Sequence, residues 1–104
     1  MRIADIKGGQ FQLVNSFAIR AKEEFYLIGD LVKGAVQVEW FANVQISPFL
    51  TLNLRIKQLE MAEVYGDESP YVILITTANS KQVDQLISVD LKSKSIAITV
   101  EGED

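Results

Sequence analysis

The sequence predicts an all-β fold. The form expected is a small antiparallel barrel of about six to eight short strands, with a two-sheet sandwich as the alternative. Three observations carry this. Apolar and polar residues alternate at period two through much of the chain, the mark of strands with one buried face. Turn residues recur at intervals of roughly 8 to 12 residues. Helical periodicity nowhere runs long enough to supply the crossovers of a parallel sheet.

The elements follow in order. In residues 11–19 the odd positions Phe11, Leu13, Asn15, Phe17 and Ile19 share one face, so a strand is expected there. Residues 25–28 form a short apolar run that Gly29 interrupts. Gly29 and Gly34 bracket Asp30, Leu31, Val32 and Lys33, where a turn or bulge is expected. Val36, Val38 and Trp40 stand at even positions, and Val44 and Ile46 keep that parity up to Ser47-Pro48. Proline donates no backbone hydrogen bond and ends the ladder. Leu50, Leu52, Leu54 and Ile56 give the cleanest alternation, with Thr51, Asn53, Arg55 and Lys57 facing outward.

Residues 66–70, Gly-Asp-Glu-Ser-Pro, read as a loop. Residues 71–77 are rich in β-branched side chains and predict a central strand. Asn79-Ser80 suits the cap of a short helix over residues 81–86, where Val83 and Leu86 are spaced i, i+3. Ile87, Val89 and Leu91 alternate again, residues 92–95 read as a hairpin connection, and Ile96, Ile98 and Val100 form the last strand. Residues 101–104 make a short acidic tail, expected to fray.

Composition bounds the chemistry. The chain has 104 residues, 48% of them hydrophobic, and a net charge of -4. That suits a single domain spanning residues 1–104 with one core. No cysteine and no histidine occur. This excludes thiolate nucleophiles, disulfides, imidazole bases and the usual transition-metal ligands. The longest apolar runs, residues 25–28 and 71–75, fall far short of the ~20 residues of a membrane-spanning helix. The first residues, Met-Arg-Ile-Ala-Asp, lack a signal peptide's pattern, so a cytoplasmic setting is expected. The acidic balance disfavours a nucleic-acid backbone as main partner, and neither a cofactor nor a metal is expected.

Residues 29–38, Gly-Asp-Leu-Val-Lys-Gly-Ala-Val-Gln-Val, resemble the G-x-V-x-x-G-x-V-x-V signature of the second, β-barrel domain of translational GTPases of the elongation-factor Tu type. Residues 54–61, Leu-Arg-Ile-Lys-Gln-Leu-Glu-Met, are similar to a later strand of that domain. The resemblance implies a closed six-stranded barrel. Glu39-Trp40 stands where the family usually has Gly-Asp. No phosphate-cradling G-x-x-x-x-G-K-[ST] loop is present, and Lys7-Gly8-Gly9-Gln10 has neither its spacing nor a helix after it. GTP binding is therefore not implied. An accessory or adaptor barrel, contacting RNA or a ribosome-bound partner, is.

Few residues suggest a site. If Trp40 keeps the inward parity, its neighbour Phe41 points outward. Phe41 beside Phe49 or Tyr26 would make an apolar partner patch of Trp40, Phe41, Phe49 and Tyr26, unless Phe41 belongs to a second layer of core. Arg55 and Lys57 share a strand face and are the candidates for RNA contact, although no aromatic residue lies between them and Leu50. The carboxylate clusters Glu23-Glu24, Asp67-Glu68 and Glu101, Glu103, Asp104 are the only inventory for a hydrolase. They fall in expected turns or at the terminus. Asp67-Glu68 matches no calcium loop. Ser80-Lys81 and Ser93-Lys94 read as turn and cap residues rather than nucleophile-base pairs. The leading expectation is a non-enzymatic protein-binding module. A translation-associated barrel comes second and a carboxylate hydrolase third. Oligomeric state is left open.

Overall fold

The period-two segments fold into six strands that close on one another. The structure is a computed structural model and describes residues 7–62, 71–91 and 94–101. Strands β1 (Lys7–Ile19), β2 (Glu24–Gly34), β3 (Phe41–Ser47), β4 (Leu50–Ala62), β5 (Tyr71–Thr77) and β6 (Ser95–Thr99) are joined by a 3-10 turn (Arg20–Lys22) and one helix, α1 (Ser80–Ile87). Their order around the barrel is β1-β2-β5-β4-β3-β6, with β6 returning to β1. Every pairing is antiparallel. The expected barrel is thus a closed one.

The interior is filled as alternation demands. Phe11, Leu13, Phe25, Leu27, Val44, Leu54, Ile56, Leu74, Ile96 and Ile98 are buried in one cluster. Val83 and Leu86 of α1 join it, with Ala78 before the helix and Leu91 after it. Helix α1 therefore seals the barrel end where β1 and β5 finish and β2 begins. Its start is fixed by a capping box: the Asn79 side chain accepts from the Gln82 N–H at 2.8 Å, and the Gln82 side chain accepts from the Asn79 N–H at 2.9 Å.

Three expectations need correction. Residues 11–19 do not keep one parity. The register slips between Leu13 and Asn15, so Val14 is the extra residue of a β-bulge. Two residues on the bulged strand oppose one on its partner, which reverses the phase beyond it. Phe17, expected inward, is 45% exposed, and Ala18 packs on the core instead.

Residues 36–40 are not strand. Trp40 N–H turns back to the Gln37 carbonyl at 3.2 Å, and Glu39 adopts a positive φ of 79°. Glu39 and Trp40 then hydrogen-bond to the Ile56 backbone across the barrel wall at 2.7 and 2.8 Å, and β3 begins only at Phe41. Trp40 nevertheless packs on the core, as its parity suggested.

Residues 87–91 are not strand either. Ile87 ends α1, and Val89 and Leu91 pack against the barrel end. The interval between Gly29 and Gly34 is a bulge rather than a turn: β2 runs straight through it, with Val32 as the extra residue. The expected loop at 66–70, the cluster Asp67-Glu68, Lys92-Ser93, and the tail residues beyond Glu101 lie outside the described residues.

Candidate functional site

Two neighbouring strands are apolar on both faces. In β2, Phe25 and Leu27 fill the interior while Tyr26 and Ile28 point outward; in β5, Val72 and Leu74 point in while Ile73 and Ile75 point out. The register sets Tyr26 opposite Ile75 and Ile28 opposite Ile73. On the other side of β2, Phe17 stands opposite Tyr26. The two rings stack with centroids 4.6 Å apart and planes 18° apart. The Val14 bulge makes this stack: without it Phe17 would point into the barrel. The result is an apolar strip of Phe17, Tyr26, Ile28, Ile73 and Ile75 across the outer surface of three adjacent strands. Ile75 is buried beneath its neighbours, and the rest are half-buried or exposed.

Charge frames the strip. At one end the Glu24 carboxylate accepts from Lys57 Nζ at 2.7 Å and from the Tyr26 hydroxyl at 2.9 Å. Lys57 reaches it because it is the extra residue of a bulge in β4. The Lys57 hydrogen bond, and then the Tyr26 hydrogen bond, hold the Glu24 carboxyl below its ordinary value. The same bond to Glu24 is the main cause that pushes the Tyr26 phenol up, with a smaller contribution from Glu60. Arg20 pairs with Asp84 of α1 at 2.8 Å. At the other end, Asp30 and Glu60 are exposed and in no ion pair among the described residues. Glu60 stands directly opposite Ile73.

Beside the strip a slot of about 220 Å³ opens between β1 and the end of α1. Its walls include Phe17, Phe25, Leu86, Ile87 and Val89. Phe17 belongs to both slot and strip. Small-molecule pockets usually run upward from about 300 Å³, so this slot suits one bulky side chain better than a whole ligand.

The patch expected from Trp40, Phe41, Phe49 and Tyr26 does not assemble. Tyr26 lies on β2 and Phe41 on β3, three strands apart in either direction round the barrel, hence on opposite walls. Phe41 does point away from the interior, but it is only 3% exposed. The Arg55 guanidinium lies 4.7 Å from its ring centroid and covers it. Arg55 is held there by the Glu39 side chain at 3.0 Å and by the Glu39 carbonyl at 3.2 Å. Phe49 sits at the tip of the β3–β4 turn, 97% exposed and apart from the others.

Arg55 and Lys57 share the outer face, yet each is matched to a carboxylate, Glu39 and Glu24 respectively. Of the Glu23-Glu24 cluster, the Glu24 carboxylate is engaged by Lys57 and Tyr26. Arg55 also borders a polar hollow of about 270 Å³ with Glu23, Asn53, Thr77, Asn79 and Gln82. At that helix end the Asn79 and Gln82 N–H groups are already occupied by the capping box. Among the described residues no group of acidic side chains could hold a metal ion, and no helix is long and apolar enough to cross a membrane.

Phe17, Ile28, Ile73 and Ile75 were not singled out from the sequence. The signal was present: residues 25–28 and 71–75 are apolar at both parities, and a strand wetted on one face alternates instead. Comparison with protein-family models, curated proteins and solved structures finds no match.

Proposed function

We propose that the protein is a non-enzymatic docking module that binds another polypeptide through the outer face of β1, β2 and β5. One observation carries the reading: β2 and β5 spend apolar residues on both faces, and the outer set lines up in register with Phe17. Contiguous apolar surface of this kind marks interaction sites. Aromatic anchors such as the Phe17–Tyr26 stack are the usual energetic centre of such sites.

The test is recovery of bound protein from native lysate by the parent, by Phe17→Ser and by Phe49→Ser. A protein held by the parent and by Phe49→Ser but lost with Phe17→Ser supports the face. Equal recovery by Phe17→Ser overturns it.

A translation-associated barrel is the second reading. What supports it is that both glycines of the elongation-factor-like signature stand where a side chain does not fit. A Cβ on Gly29 would overlap the Gln12 carbonyl oxygen, and Gly34 has a φ of +75° and would bring a Cβ within 2.7 Å of Gly9 Cα. Against it stand the net charge of -4 and the carboxylates matched to Arg55 and Lys57. Ribosomal or RNA-bearing material in the Phe17-dependent fraction would favour this second reading.

A further inference from the structure

The strip, its rim and the slot beside it restrict what can dock. The strip is apolar and lies on the outer wall of the barrel. Among the described residues its rim carries two carboxylates in no ion pair: Asp30, two residues beyond Ile28 on the same face, and Glu60, opposite Ile73. Among the described residues Glu60 accepts from Gln58 at 2.9 Å and from no cation. The cations at the opposite end are matched, Lys57 by Glu24 and Arg20 by Asp84. Lys22 stands beyond Glu24 on the 3-10 turn, and Lys33, opposite Gln10, lies past Asp30 on the outer face, so at that end two carboxylates face one cation. An acidic occupant would therefore set like charges against Asp30 and Glu60, while a basic one gains from both. The slot adds a shape requirement. It opens to solvent on one side, is lined by Phe17, Leu86 and Ile87 together with polar Asn15, Ser16 and Asp90, and is too small for more than one large side chain.

Resting on the docking reading above, we infer that the partner is a basic amphipathic polypeptide segment. Its apolar face covers Phe17, Tyr26, Ile28 and Ile73, one bulky apolar side chain enters the slot walled by Phe17 and Ile87, and its Lys or Arg residues meet Asp30 and Glu60. Helices with one apolar face read such surfaces through anchors at i, i+3 and i+4. Affinity concentrates in the anchor, and the rim charges govern encounter and salt dependence.

The experiment uses two synthetic helical probes, a Leu/Lys amphipathic peptide and its Leu/Glu counterpart, titrated against the full chain by calorimetry. The parent is expected to bind the Leu/Lys probe, more weakly as salt rises, and not the Leu/Glu probe. Ile87→Ser removes one wall of the slot at an exposed position and should weaken binding by about tenfold, as loss of roughly 1.4 kcal/mol would. Asp30→Lys with Glu60→Lys should invert the preference between the probes. Thermal melting of each variant checks that the fold is kept.

Equal binding of both probes, binding of neither, or an Ile87→Ser variant that binds as the parent does would overturn the inference. So would a dimer of the chain that Phe17→Ser abolishes, since a second copy would then cover the strip. If Phe17→Ser still loses a lysate protein while the Leu/Lys probe fails, the docking face stands and only the partner's chemistry is wrong.

Discussion

Replacing Phe41 with serine should destabilise the barrel severely. The ring is 3% exposed, lies outside the interior cluster and is covered by the Arg55 guanidinium. Truncating a buried phenylalanine costs about 3–5 kcal/mol, the lost contacts included. A domain of this size has a total stability of only about 5–15 kcal/mol. Each 1 kcal/mol moves its Tm by roughly 4–8 °C, so Phe41→Ser should lower Tm by at least about 12 °C. The matched comparison is Phe17→Ser. That ring is 45% exposed, so at most about half of a full side-chain burial is lost, on the order of 1 kcal/mol. Circular-dichroism melts of parent and variants decide between the two sites. The expected order is a large fall for Phe41 and a small one for Phe17. A Phe41→Ser melt within about 4 °C of the parent, less than 1 kcal/mol, would refute the burial of Phe41 beneath Arg55.

Two further outcomes follow from the same geometry. Gly29→Ala should lower the urea midpoint by the equivalent of about 1–3 kcal/mol, because its Cβ would overlap the Gln12 carbonyl and lie 3.0 Å from a Phe11 ring carbon. Gly8→Ala, which meets mainly the Trp40 ring at 2.7 Å, should cost less because that ring can swing, and equal midpoints would contradict the tight β1–β2 register. The Glu24 carboxyl is held below its ordinary value of 4.5 by the Lys57 hydrogen bond and then by that of Tyr26. The stabilisation it gives is complete above the ordinary carboxylate range and is lost as pH falls through and below it. Glu24→Gln should therefore reduce the loss of stability between neutral and acid pH, and an acid limb as steep as the parent's would remove the pair from the account.

Alternation made much of the barrel readable. Leu52, Leu54 and Ile56 enter the core as their spacing requires, and Asn79 with Val83 and Leu86 specified α1 through its cap and one buried face. The failures share a cause. Periodicity assumes that every strand keeps its phase, and the bulges at Val14 and Lys57, unlike the glycine-bracketed one at Val32, break the phase without a sequence mark. Val14 looks like any other strand residue, yet it turns Phe17 from a core residue into a surface one. Lys57 likewise sits at a bulge that brings it over Glu24, a partner 33 residues away. Parity put Phe41 outward only if Trp40 pointed inward, and left a second layer of core open; the ring faces away from the interior but is covered by Arg55, its partner on β4. The apolar strip escapes the pattern for a different reason. Residues 71–77 read as a central strand and residues 25–28 as a short apolar run, and neither reading says what the second face of the strand meets.

Closure makes that second face decisive. An open sheet can recognise a peptide by adding it as a strand along a free edge. A barrel whose sixth strand returns to the first offers no such edge. Its interior is filled by side chains, and α1 seals the end nearest the strip. What is left for recognition is the outer surface and the loops. Solvated strand faces there are polar on β4, where Thr51, Asn53, Arg55 and Lys57 alternate with the core set. Among the described residues, the outer face turns apolar across three strands in register where β1, β2 and β5 meet. An apolar strip on the outside of a closed core is therefore the surface that the proposed docking reading assigns to a partner.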